Sequence, residues 1–147
     1  MEIHTKRLKL VPCTTSSWKT SNYPLLDHIQ YTIDKAEEDD STVGWYVWLA
    51  NRIEDGKTVG DLGFKGIPGI EGNVEIGYGI SPDEHNKGYA TEAVTALINW
   101  AFSQPNVTKI TAECTKDNVP SIRVLEKVGM NRIGEANNMI YWELPRG

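Results

Sequence analysis

At 147 residues, with 39% hydrophobic and 24% charged side chains, the chain has enough apolar sequence for one core and reads as a single domain over 1–147. Its net charge of −5, with Lys and Arg spread along the chain, disfavours a nucleic-acid or anionic-membrane surface. No apolar run can cross a bilayer and no charged-then-apolar leader opens the sequence, so a cytoplasmic protein is expected; Cys13, Cys114 and three scattered histidines lack ligand spacing, so no metal is expected.

From Thr5 to Val11 polar and apolar residues alternate, which predicts a half-buried opening strand closed by Pro12. Pro24 suits a first helical position, and Leu25, Leu26, Ile29 and Ile33 fall on one face of the helix it would start. The acids Glu37 to Asp40 sit where the helix dipole is already negative, so the helix should fray there into a loop. Gly44 to Ala50 is aromatic and apolar and reads as a strand, and Asp55-Gly56 turns the chain into another over Thr58 to Phe64. Glu71-Gly72 offers a further turn into Asn73 to Ile80, giving an antiparallel meander of at least three strands. From Gly88 the period changes, and Ala90, Ala93, Val94, Leu97, Ile98 and Ala101 mark an amphipathic helix stopped at Gln104-Pro105-Asn106. Val107 to Cys114 follows as a strand, and a crossover of this length implies a parallel pair. Asn118 and Pro120 open a last helix with Ile122, Leu125 and Val128 on its apolar face, ending at Gly129. Asn131 to Ala136 and Met139 to Leu144 finish as a strand pair around Asn137-Asn138. The expected fold class is a mixed α/β sheet in which a βαβα unit follows an antiparallel meander.

The informative stretch runs from Ile80 to Glu92, where a strand ends, a loop containing Gly88 follows and a long helix begins. The first amides of a helix lack internal acceptors and lie at its positive end, so a loop wrapped there can hold a pyrophosphate through backbone N–H groups. Gly88 lets a phosphate approach, small Ala90 keeps the next turn clear, and Lys87 offers a point charge. The alternative is a helix start that happens to contain glycine.

His85-Asn86-Lys87-Gly88-Tyr89-Ala90-Thr91-Glu92-Ala93 resembles the acetyl-CoA pyrophosphate loop of the GNAT N-acetyltransferases, most closely the subgroup with the ribosomal-protein N-terminal acetyltransferases. Thr5 to Leu10 resembles that subgroup's opening strand, and Val74 to Tyr78 its fourth strand. Asn118, Ser121 and the run Val124-Leu125-Glu126-Lys127 ending in Gly129-Met130 resemble its late helix. The resemblance implies the GNAT fold with splayed central strands, acetyl-CoA as cosubstrate, and transfer of its acetyl group to a primary amine without a covalent enzyme intermediate. His85 stands where Gln or Arg is usual, and Val124 and Leu125 stand where some relatives carry a tyrosine acid.

By resemblance, Glu75 is the candidate base, against a solvent-facing strand residue, since Val74 and Ile76 occupy the other face. Asn118 is expected on the pantetheine arm or as a plain helix cap, and Ser121 beside the leaving sulfur or bonded back to its helix. Backbone atoms of Tyr78, Gly79 and Ile80 are expected to pair with the pantetheine amides, Gly77 and Gly79 serving close approach or marking a bulge. His85, Asn86, Lys87, Gly88, Tyr89, Ala90 and Thr91 form the cofactor-binding loop, Tyr89 there serving packing rather than chemistry. Glu92 marks the acceptor side or, the stronger reading, is an exposed acid favoured by the helix dipole. The acceptor is a peptide N-terminus, which the resemblance favours, or a small molecule such as a polyamine, drug or amino acid. A CoA-binding sensor without turnover is the rival reading, and a third reading has a free edge at Trp45 to Ala50 serving homodimer assembly.

Overall fold

The computed structural model describes residues 1–147. Its strands are β1 (Ile3–His4), β2 (Leu8–Pro12), β3 (Val47–Arg52), β4 (Thr58–Phe64), β5 (Asn73–Ile80), β6 (Lys109–Thr115), β7 (Asn131–Ala136) and β8 (Met139–Pro145). They form one sheet in the order β1-β2-β3-β4-β5-β6-β8-β7. Every pairing is antiparallel except β5 with β6, the pair joined by the long helical crossover. The helices are α1 (Thr15–Lys19), α2 (Asp27–Glu38), α3 (Tyr89–Ser103) and α4 (Val119–Lys127).

The sheet is covered on both faces. The larger core lies under α3, whose Ala93, Val94, Leu97 and Ala101 pack on Leu8, Leu10, Trp48, Val59, Leu62, Ile76 and Ile110. Trp100 carries this core outward by packing against Trp45, Trp48 and Phe64. On the opposite face Ile29 and Ile33 of α2 bury Leu49 and Cys13. Alternation along a strand sends successive side chains to these two faces. Val74, Ile76 and Tyr78 therefore face α3, whereas Glu75, Gly77 and Gly79 share the α2 face with Lys65, Gly63 and Asp61 of the adjoining chain.

Local chemistry displaced several expected boundaries. The opening strand is split because Thr5 turns the chain, its hydroxyl accepting from the Leu8 N–H at 3.0 Å. Helix α1 was not anticipated; Thr14 and Ser17 form a reciprocal capping box that nucleates it. Helix α2 begins at Asp27 rather than Pro24, so Leu25 and Leu26 are exposed and its buried face is Ile29, Thr32 and Ile33. The stretch Trp45 to Ala50 is not a free edge: β3 pairs with β2 on one side and β4 on the other, leaving β1 and β7 as the sheet's edges.

The central strands splay. β5 and β6 pair only over Asn73–Lys109, Val74–Ile110 and Glu75–Thr111, after which β5 runs on to Ile80 and β6 to Thr115 without pairing to each other. No register shift interrupts β4 against β5 from Gly60–Ile80 to Phe64–Ile76, so Gly77 and Gly79 mark no bulge.

Candidate functional site

The loop before α3 is fixed by a buried acid. Pro82 to Glu84 forms a 3-10 turn that buries Glu84, whose carboxylate accepts from Arg52 at 2.8 Å, Lys57 at 2.7 Å and Lys87 at 2.8 Å. Hydrogen bonds from Lys57, Lys87 and Arg52 outweigh burial and hold its carboxyl down at about 2. The Lys87 ammonium is thereby directed to Glu84 rather than left as the free point charge expected of it.

Asn86 and Gly88 both adopt left-handed backbone, at φ 63 and φ 82, turning the chain abruptly into α3. No side chain caps the helix start, so its first amides are open to a ligand. His85, Asn86, Lys87 and Gly88 are exposed, Ala90 and Thr91 half-buried, and Tyr89 buried in the core, as packing required. The His85 ring lies 2.6 Å from the Ile80 carbonyl, which it engages in place of a second strand.

Glu92 corrects the expectation of an exposed acid. It accepts from the Thr5 hydroxyl at 2.5 Å, the Arg7 backbone N–H at 2.8 Å and Arg7 Nε at 2.7 Å. Arg7 also donates to the Lys87 carbonyl at 2.8 Å and lies 4.5 Å from the Tyr89 ring centroid. One side chain of the β1–β2 turn thus braces the whole loop. The turn and α3 lie far apart in sequence, so neither pattern announces the contact.

Where β5 parts from β6 the splay opens a slot of about 330 Å³, lined by Glu75, Gly77, Tyr78, Cys114, Asn118 and Ser121 among others. Asn118 caps α4 by accepting from the Ser121 N–H at 3.2 Å, which leaves its amide nitrogen free. The Ser121 hydroxyl is not bonded back to its helix, contrary to one of its two readings. Tyr78 reaches across the gap, its hydroxyl donating to the Ser121 carbonyl at 3.4 Å; burial pushes that phenol upward, opposed by Ser121. Glu75 pairs with Lys65 at 2.5 Å and is about a third exposed, at 33%, so it is neither free in solvent nor sealed.

The structure therefore brings Glu75, Tyr78, Asn118 and Ser121 to one slot, while His85 through Thr91 gather beyond the far end of β5, with Gly79 and Ile80 between them. An extended chain with amide groups fits the unpaired edge of β5, and an anion fits the open amides of α3.

A second cavity, about 580 Å³, lies on the α2 face of β4 and β5 and meets the slot at Lys65, Gly77 and Tyr78. It is lined by Tyr23, Leu26 and His28 from the α2 region and by Asp61, Phe64 and Gly79 from the sheet. Asp61 is buried and accepts from the Tyr23 hydroxyl at 2.7 Å, with His28 Nε2 at 2.9 Å. Burial and the hydrogen bond to Asp61 push the Tyr23 phenol upward. Burial, with the Asp61 charge beside it, pushes the Cys13 thiol up to about 12, which rules that sulfur out as a nucleophile near neutral pH. Sequence reasoning missed Asp61, Tyr23 and His28. The available signal was an acid flanked by Gly60 and Leu62 in an otherwise apolar strand, since a buried charge demands partners.

Comparison with known proteins follows the same geometry. Residues 12–131 match the model of the acetyltransferase (GNAT) domain. The uncharacterized N-acetyltransferase YjdG of Bacillus subtilis (strain 168) is 34% identical over 131 residues, 87% of this chain and 77% of that protein. Among solved structures, the acetyltransferase (GNAT family) from Bacillus anthracis aligns with a TM-score of 0.73 at 27% identity, over 99% of both chains. A spermidine N-acetyltransferase from Vibrio cholerae, in complex with CoA and spermine, aligns at 0.76 with 15% identity over 97% of each chain, which shows a shared fold.

Proposed function

Because the chain belongs to the acetyltransferase (GNAT) domain family, and is an acetyltransferase of that type, we propose that it moves the acetyl group of acetyl-CoA directly onto a primary amine. The observation that carries this reading is the meeting of two cavities at Lys65, Gly77 and Tyr78, one suited to the cofactor arm and one to an acceptor. Two substrates entering from opposite sides of β5 meet there without a covalent enzyme intermediate.

Acetyl-CoA supplies an activated carbonyl, and the residues of this chain do the rest. The open amides of α3, reached through His85, Asn86, Lys87 and Gly88, hold the pyrophosphate, with Ala90 and Thr91 in the following turn. The backbone of Tyr78 and Gly79 on the unpaired edge of β5 and the amide nitrogen of Asn118 hold the pantetheine arm. Ile80 contributes less than expected, since its carbonyl already faces His85.

A primary amine is protonated at neutral pH and must lose a proton before it can attack. Glu75, kept beside the junction by Lys65, takes that proton through a water molecule. The C–N bond forms as the C–S bond breaks; the departing sulfur takes a proton from the Ser121 or Tyr78 hydroxyl, both of which face the slot, and the proton shed by the new amide nitrogen restores that hydroxyl through water. The sequence resemblance favours a protein N-terminal α-amine as acceptor. The cavity on the α2 face, with the buried carboxylate of Asp61 in its lining, favours a small amine, and we infer the small amine.

The test is thiol release from acetyl-CoA against monoamines, diamines, aminoglycosides, amino acids and peptides beginning with Ser or Ala, with acetyl-CoA affinity measured by calorimetry. Glu75→Gln should lower kcat by about 10²- to 10³-fold, as loss of a proton acceptor does, and leave acetyl-CoA affinity within about twofold. Unchanged turnover removes Glu75 from the mechanism. Tight acetyl-CoA binding with no thiol release from any amine establishes the sensor instead.

A further inference from the structure

We propose that Asp61 is the specificity-determining residue of the acceptor cavity, holding a second, cationic nitrogen of a diamine-type substrate while the first is acetylated. The inference rests on the amine-acetylation reading above, and four observations on this chain point to it.

First, Asp61 is a buried carboxylate lining the cavity with lone pairs to spare. Tyr23 and His28 supply two contacts, at 2.7 and 2.9 Å, where a carboxylate accepts about four. Second, no lysine or arginine in the cavity meets Asp61: Lys65, the lysine in its lining, is paired with Glu75 instead.

Third, the floor is bare. Gly77 and Gly79 lack left-handed backbone, and a Cβ built on either meets no atom within 4 Å. The glycines opposite are different: a Cβ on Gly60 would lie 2.3 Å from the Gly79 carbonyl, and one on Gly63 would strike the Tyr46 carbonyl. Packing explains the β4 glycines and leaves those of β5 as space for a ligand lying on the sheet.

Fourth, the spacing sets the length. Asp61 stands opposite Gly79, two residues along β5 from Gly77, where the cavities join. A strand rises about 3.3 Å per residue, so the anchored and reacting nitrogens are separated by roughly 7 Å, the reach of a diamine of about four to six carbons. Pro24, Leu26 and Val47 line the same cavity and suit the methylenes between.

The experiment compares 1,5-diaminopentane with 1-aminopentane at saturating acetyl-CoA, which differ only in the second nitrogen. The wild-type protein should favour the diamine in kcat/KM by about tenfold or more, the scale of one charge-assisted hydrogen bond. Asp61→Asn is nearly isosteric, still accepts from Tyr23, and should erase that preference by raising KM chiefly for the diamine. The loss in kcat/KM should be at least about tenfold larger for the diamine than for the monoamine, with KM for acetyl-CoA within about twofold, a pattern that a merely structural role does not give. Equal loss for both amines, or no preference for the diamine in the wild type, overturns the inference. Thiol release with monoamines or peptides but no effect of Asp61→Asn on selectivity overturns it and leaves acetyl transfer standing. No thiol release from any amine overturns both.

Discussion

Glu92→Gln tests whether the turn between β1 and β2 sets the geometry of the cofactor loop. Glu92 is mostly buried, its side chain 18% exposed, and accepts three hydrogen bonds, from Thr5 and from two N–H groups of Arg7. Glutamine keeps one acceptor oxygen but turns an NH₂ toward Arg7, which offers only donors. The substitution thus loses at least one charge-assisted bond and opposes two donors, a loss of about 2 kcal/mol. For a domain of this size that lowers Tm by roughly 4–8 °C, readable by differential scanning fluorimetry.

The loss has a pH signature. Burial alone would raise the Glu92 carboxyl, but hydrogen bonds from Thr5 and Arg7 hold it below its ordinary 4.5. A depressed folded value means that the contribution is complete above the unfolded pKa and is lost as the pH falls below it. The Tm gap between wild type and Glu92→Gln should therefore be full at pH 7 and shrink below about 4.5. Because Arg7 also holds the Lys87 carbonyl, the variant should raise KM for acetyl-CoA and leave KM for the amine in place. A Tm within a degree of wild type refutes the energetic argument. A lowered Tm with unchanged acetyl-CoA affinity refutes the coupling to the loop.

Glu84→Gln should remove part of the protein's acid sensitivity: its carboxyl sits at about 2 against an ordinary 4.5, so wild-type stability falls toward that of the variant across that interval. Thermal melts between pH 7 and 3 check this, and a gap that does not vary with pH would sink it. Gly60→Ala forces a Cβ to 2.3 Å from the Gly79 carbonyl and should destabilise the fold by about 1–3 kcal/mol. Gly79→Ala meets nothing within 4 Å, so it should leave Tm within about 2 °C while raising KM for the amine several-fold. Denaturant melts and steady-state kinetics on the two variants separate a packing glycine from a ligand-space glycine.

The cofactor half of the site was legible because its parts are contiguous. Gly88, the α3 amides and the helix period from Ala90 to Ala101 occupy one segment, and local rules for helix starts apply to it without knowledge of the rest. The splay was legible only by resemblance, since nothing in Asn73 to Ile80 or Lys109 to Thr115 states where their pairing stops. Expectations failed where a distant side chain intervened. Glu92 looked exposed until Arg7 closed on it from 85 residues away, and Lys87 looked free until Glu84 folded under Arg52, Lys57 and Lys87. Trp45 to Ala50 looked like an edge because a strand's position in a sheet is a pairing property, which its own hydrophobic pattern does not encode.

The acceptor half was illegible for a related reason. Asp61 meets Tyr23 across 38 positions and His28 across 33, and each of the three is unremarked in its own segment. What the sequence does contain is a contrast that becomes readable once the register is known. Gly60, Gly63, Gly77 and Gly79 lie on adjoining strands, yet only the β4 pair is required by neighbouring atoms. A glycine costs conformational entropy on folding, so one that answers neither to left-handed backbone nor to close packing must be explained outside the folded chain. Gly77 borders both the cofactor slot and the cavity that Asp61 lines, Gly79 borders that cavity, and a substrate lying along them supplies that explanation.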